Sequence, residues 1–352
     1  MKKFSFFTAL LSAFILVSCS DDNDAPVAPP APSQAVNMTE FCCKDGVLYG
    51  FLSQYDEAWN QTIVHSAYNT FTGEVQSPWI TDGTVVSSPY KLMSAGDYIC
   101  LTSSDYVNDG DAYLFTPDGR LYDSFSTGIG PRRAVAVDNF IYILNEGLFN
   151  ANNSSLTRYN VDDASVVKDC FAEANGKGIG DTANDICVYG SKMYIAVAEE
   201  NVIWVTDKSA RILEKIETAG KPRYLATAEG CVYATYYNGY VARIDTLAMC
   251  VDATVPVGRN PEQLCAVGGK LFVANSGGLD YNSEVGYDKT VSVVDIESFT
   301  EVKKIEVAAN PANIVASENG FVYLVSLGNY STVPNTLQCI NPDTYEVAPL
   351  GE

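Results

Sequence analysis

The side chains in this chain best suited to chemistry are aromatic, amide and guanidinium groups. Their spacing points to contact with a ligand more than to bond breaking. Tyr55, Trp59, Tyr106, Phe149, Tyr281, Tyr287 and Tyr330 stand in polar segments that also hold Asn, Ser or Gly, among them Asn275 and Asn329. Aromatics beside small amide residues make adaptable contact surfaces at low entropic cost. A second group follows a proline by one or two residues: Tyr90, Arg132, Arg133, Arg223, Glu262 and Asn313. Tyr236 and Tyr237 close a short loop beside them. Each of these Arg and Tyr side chains could touch a ligand or brace a joint between structural units.

Hydrolytic chemistry has less material. Glycoside hydrolysis needs two facing carboxyl groups, and Glu146 with Glu262 or Asp185 is the one pairing at comparable positions. His65 is the single histidine, so no mechanism built on a histidine pair is open. Asp105, Asn108, Asp109 and Asp111 could offer oxygens to a hard cation or form a solvated acidic turn. None of the ten cysteines forms a C-x-x-C pair, which leaves zinc-knuckle and thioredoxin chemistry without support. No catalytic residue, metal site or cofactor is expected.

The elements that must position these residues repeat. Pro89, Pro131, Pro222, Pro261 and Pro311 open copies of one pattern, with steps of 42, 91, 39 and 50 residues. The pattern is Pro–polar–x, an apolar run, a tight turn and a second strand with an aromatic. The 91-residue step holds two units, the second opening near Thr182, and a further unit opens near Met38. Eleven or twelve residues into the units stand Tyr49, Cys100, Tyr142, Tyr194, Tyr233, Phe272 and Tyr323. Periods of roughly 40–50 residues with four short strands are those of propeller blades. The expectation is an all-β, seven-bladed β-propeller over residues 37–352, with four antiparallel strands per blade. The loops between second and third strands are long at 54–61, 104–111, 146–154, 276–289 and 328–334, while the turns on the opposite face are short. Loops lengthened on one face of a rigid scaffold usually carry binding.

Asp288 to Asp295 (DKTVSVVD), followed by Asn310-Pro311, resembles the YVTN (YncE-like) propeller repeat. Residues 145–156, Pro222-Arg223-Tyr224 and Ala274-Asn275-Ser276-Gly277-Gly278 resemble Bacteroidetes surface lipoproteins of that superfamily. The N-terminus agrees with this. Lys2 and Lys3 precede an apolar stretch ending in Leu16-Val17-Ser18-Cys19, similar to a lipobox. Residues 1–18 then read as a lipoprotein signal peptide and Cys19 as the lipidated residue. Residues 19–36 read as a tether, acidic at Asp21, Asp22 and Asp24 and rich in Pro and Ala beyond. The acidic run resembles an export signal to the outer face of the outer membrane.

The resemblance implies a non-catalytic ligand-binding lipoprotein, touching the membrane through its lipid alone. It would capture a small molecule, a corrinoid such as cobalamin being the sharpest candidate, for a TonB-dependent transporter. A docking platform, a glycan-binding propeller or a propeller hydrolase are the alternatives. Without residues 1–18 the chain has 20 basic and 43 acidic residues, a net of −23, which excludes nucleic acid as a natural partner. A monomer is expected.

Overall fold

The computed structural model describes residues 28–55 and 61–350. They form seven four-stranded antiparallel sheets, each made of four consecutive strands in sequence order. Blades 1 to 7 span residues 40–76, 89–129, 131–167, 183–217, 222–256, 261–306 and 311–349. Each inner strand lies against those of its two neighbours, and blade 7 against blade 1, so the ring is closed. Among the described residues, Cys170–Asn175 is the one α-helix.

Second strands are near-continuous apolar runs because both of their faces meet a neighbouring blade. Tyr142–Leu144 and Met193–Val197 are fully buried. Outer strands such as Thr300–Glu306 are mostly exposed. The repeating mid-strand position is core throughout: Tyr49, Cys100, Tyr142, Tyr194, Tyr233, Phe272 and Tyr323 are all buried. Two of these tyrosines also tie blades together. The Tyr49 hydroxyl donates to the Pro117 carbonyl at 3.0 Å, and that of Tyr142 to the Lys208 carbonyl at 2.6 Å. Both acceptors lie in the outer turn of the following blade. Those turns are held as the Asp and Asn pattern predicts. Asp207 accepts from the Ser209 amide, Asp245 from Leu247, and Asn341 from Asp343.

The Pro–polar–x motif acquires a structural meaning. In six of seven inner strands the pairing with strand two slips by one residue immediately after the opening position. Each slip is a β-bulge, which leaves amides unpaired and re-aims side chains. Side chains recover the amides: Thr102 accepts from the Lys91 amide at 3.2 Å and Thr235 from Tyr224 at 3.0 Å. Neighbouring blades also contribute, Asp185 accepting from the Leu225 amide at 2.8 Å and Gln263 from Ile314 at 3.1 Å.

Closure uses no borrowed strand. Residues 28–38, the described end of the expected tether and the start of the fold, lie along the seam between blades 1 and 7. Val36 and Met38 are buried with Phe321, Tyr323, Val325 and Leu337. The amides of Asn37 and Asn335 bond each other at 2.9 Å. The outer strand of blade 7 is the short Val347–Pro349. Cys19 lies outside the described residues, and the other nine cysteines are free thiols.

Candidate functional site

The bulges aim polar side chains at the loop-face end of the central axis, where they interlock. Arg132 donates to Glu146 at 2.9 Å, to the Asn184 carbonyl at 3.1 Å and to the Tyr224 hydroxyl at 3.2 Å. The Tyr90 hydroxyl reaches the same Glu146 oxygen at 3.2 Å. Arg223 donates to the Asn184 side chain at 2.9 Å and to Glu262 at 2.5 Å, and the Ser276 hydroxyl meets the other Glu262 oxygen at 3.3 Å. Across the axis, Lys91 and Asn313 both donate to Glu40, at 2.7 and 3.0 Å. Arg133 pairs with Asp185 at 2.8 Å.

Four cations therefore face four acids in pairs: Lys91–Glu40, Arg132–Glu146, Arg133–Asp185 and Arg223–Glu262. In a strongly acidic chain this belt is locally neutral. Burial is the largest influence on Lys91 and would lower its pKa, but Glu40 together with Tyr224 and Tyr90 holds the ammonium above its ordinary range. Burial pushes the Asp185 carboxyl up, opposed by Arg133 and by the Leu225 and Ile186 amides.

Below the belt runs an axial channel of about 600 Å³, lined by inner-strand residues including Cys42, Cys43, Cys187 and Cys265. Burial raises all four thiols, Cys43 to about 12, so they stay protonated and unreactive. Arg133, Ser94 and Gln263 are the other polar side chains of the lining, and Arg133 is engaged by Asp185.

A cleft of about 580 Å³ lies instead on the loop face, lined by Phe149, Glu199, Asn201, Gly220, Lys221, Tyr237, Asn238 and Leu279. Its logic is one of loop length. The short loops of blades 4 and 5, at 198–201 and 237–239, form the floor, and the long loops of blades 3 and 6, at 146–154 and 276–289, form the walls. Phe149 and Leu279 are 68% and 67% exposed at the wall tips, an arrangement that leaves apolar surface open to solvent. Lys221 and Glu199 pair at 2.7 Å on the floor. Tyr237 joins the cleft to the belt, since the Arg223 guanidinium lies 4.2 Å from its ring centroid.

Both walls are braced. Asp181 accepts from the Asn150 and Asn152 amides at 3.2 and 3.0 Å, which fixes the loop carrying Phe149. Arg259 bonds Asp280 and the Gly286 carbonyl, which fixes the loop carrying Leu279. Gly277 opens that loop at φ +60°, and a Cβ there would stand 2.4 Å from the Asp288 amide. Only glycine fits.

The expected ring of site residues is assembled in part. Tyr90, Arg132, Glu146, Arg223 and Glu262 meet in the belt, and Phe149 and Tyr237 in the cleft. Tyr106 packs edge-on to Tyr90 at 5.2 Å, and Tyr287 to Tyr330 at 6.4 Å. Tyr281 is exposed on the blade 6 loop but outside the cleft lining. Two expectations, Tyr236 and Asn275, need correction because both side chains are buried. Tyr236 is 1% exposed and packs between blades 4 and 5, because it is the last residue of the strand Cys231–Tyr236, whereas Tyr237 begins the turn. Asn275 is buried, bonding Thr290, Ser292 and the Gly258 amide. Asn329 organises its own loop, accepting from the Ser331 and Val333 amides. Tyr55 ends the strand Val47–Tyr55, and Trp59 lies outside the described residues.

The sequence reading missed Lys91, Asn184, Tyr224, Glu199, Lys221 and Leu279. Lys91, Asn184 and Tyr224 carry a usable signal, since each stands one or two places after the opening position of an inner strand. Asp105 accepts from the Val107 and Asn108 amides, which lowers its carboxyl to about 2, so its acidic segment is a self-capped turn. Among the described residues no group of three or more His, Cys, Asp or Glu is arranged for a metal ion.

Seven four-stranded antiparallel blades in a closed ring define a seven-bladed β-propeller. The chain belongs to the family described as domain of unknown function DUF5074, which matches residues 139–350, from blade 3 to the end of blade 7. No curated protein matches the chain. Among solved structures it is similar to the computationally designed Ika8 protein, with 10% identity, a TM-score of 0.57, and 92% of this chain and 88% of that one covered. It is also similar to BamB from Moraxella catarrhalis, at 12% identity and a TM-score of 0.52 over 86% and 95% of the two chains. Hydrazine synthase of Kuenenia stuttgartiensis shares 14% identity and a TM-score of 0.54 over 77% and 99%. At these identities the likeness is one of fold.

Proposed function

We propose that this protein is a non-catalytic, lipid-anchored capture module of the cell surface, related to the YncE-like lipoproteins, that holds a small organic molecule in the loop-face cleft. The cleft between Phe149 and Leu279 carries the reading: its volume of about 580 Å³ lies within the range of small-molecule sites. An apolar tip on each wall, Tyr237 and Asn238 on the floor and a Lys221–Glu199 pair suit a ligand with apolar faces and amide or carboxylate edges. The belt acids speak against hydrolysis, since Glu146, Asp185 and Glu262 are each held by an arginine. A corrinoid remains the first ligand to test, with a TonB-dependent transporter as the receiver.

Calorimetry of the purified mature chain with cobalamin and cobinamide tests this. One-to-one binding that weakens at least tenfold in Tyr237→Ala is the expected result. No heat at high micromolar ligand removes the corrinoid. A docking platform is the second reading, favoured by the exposed Tyr106, Val107, Tyr281, Val285, Tyr330 and Val333 on the same face.

A further inference from the structure

Residues 28–38 fix where the chain leaves the propeller. At their upper end, Asn37 bonds Asn335 at the loop-face start of a blade 7 strand, and the Thr39 amide bonds the Phe51 carbonyl. At their lower end the partners lie on the opposite face, among the short turns. The Ser33 amide donates to the Gly73 carbonyl at 2.7 Å, and the Ser33 hydroxyl accepts from the Val75 amide at 3.0 Å. The Tyr68 hydroxyl donates to the Pro30 carbonyl at 2.8 Å. Ala28, Pro29, Ala31 and Pro32 line one groove with Phe321 and with Asn341 and Glu346 of an outer turn. Read backwards, the chain descends the seam between blades 1 and 7 and departs on the turn face.

Eight residues, 20–27, separate this exit from Cys19. Fully extended they span at most about 30 Å. An inner strand of seven residues, such as Pro222–Ala228, rises about 23 Å. With the loop face toward the lipid, the tether would spend most of its reach climbing the side of the propeller. It would then have to clear the long loops as well. With the turn face toward the lipid, the whole reach is available as a spacer. Charge does not choose between the two, because acidic residues stand on both faces: Asp118, Asp207 and Asp245 on one, Asp105, Asp280 and Glu284 on the other.

We propose that the anchored protein stands with its turn face toward the lipid surface and its loop face, with the cleft, toward the medium. This rests on the lipid-anchor reading of Cys19. The cleft then fills from the medium.

Energy transfer to a membrane acceptor reads the orientation. The full lipidated chain, with exposed Cys250 replaced by Ser, is labelled at Leu247→Cys on the turn face or Val285→Cys on the loop face; these positions are 88% and 70% exposed. It is then placed in phosphatidylethanolamine–phosphatidylglycerol vesicles holding an acceptor lipid. At least twofold greater transfer from position 247 is expected. Equal or greater transfer from position 285, with the lipid on Cys19 verified by intact mass, overturns the orientation and leaves the anchor standing. An intact mass without diacylglycerol on Cys19 overturns the anchor, and the orientation with it.

Discussion

Tyr236 and Tyr237 are chemically identical neighbours with opposite surroundings, because the strand ends at Tyr236 and the turn begins at Tyr237. Tyr236 is sealed between blades 4 and 5, whereas Tyr237 is half-buried against Arg223 at the cleft. Tyr236→Ala should cost about 3 kcal/mol or more of stability, as truncating a buried aromatic does. Tyr237→Ala should cost far less while weakening the ligand; urea unfolding of both variants measures the contrast. His65 gives a pH signature. It packs near Phe51 and Trp79, and burial lowers its pKa below the ordinary value of about 6.5. The unfolded chain therefore binds a proton that the fold refuses, so stability is full above about pH 6.5 and falls below it. Unfolding midpoints of His65→Gln should lose that part of the acid-side decline, and an unchanged profile would mean His65 is not its source. At this scale the belt was largely legible, because Arg132, Arg223 and Glu262 each directly follow a proline that opens a repeat unit. The cleft was less so. Leu279 and Lys221 are unremarkable in sequence and become partners only when loops 58 residues apart in numbering are brought together.

The inner strands are the elements that make the site. A strand that paired without interruption would send its side chains alternately into the two neighbouring blades. In six of the seven, the bulge after the opening position instead presents polar residues at the axis. Its cost is unpaired amides, and the threonine of strand two is one answer. Thr235 is fully buried and accepts from the Tyr224 amide. Thr235→Val keeps the shape but orphans that amide and should destabilise by about 2 kcal/mol. Thr300→Val, on an exposed outer strand, should stay within about 0.5 kcal/mol. Thermal unfolding of the two variants separates a bulge partner from a bystander. The bulges themselves were hidden in the sequence, since Pro–polar–x reads equally well as an ordinary strand opening. Register appears only once the strands are paired.

For the whole molecule, the repeat specified the architecture because each unit is one self-contained sheet that buries its faces only against its neighbours. Seven units, four strands per unit and the long-loop face all follow from spacing. Closure did not, because it depends on Val36, Met38 and Asn37 meeting blade 7 at the far end of the chain. In the proposed capture role the ligand sits in the loop-face cleft and not in the axial channel. Hydrogen–deuterium exchange of the mature chain with and without saturating cobinamide tests that most directly. Protection is predicted in 146–154, 198–201, 219–221, 237–239 and 276–282. Protection confined to the channel strands around residues 41–43, 92–96 and 263–265 would contradict the site, and no protection anywhere would contradict a corrinoid as its ligand.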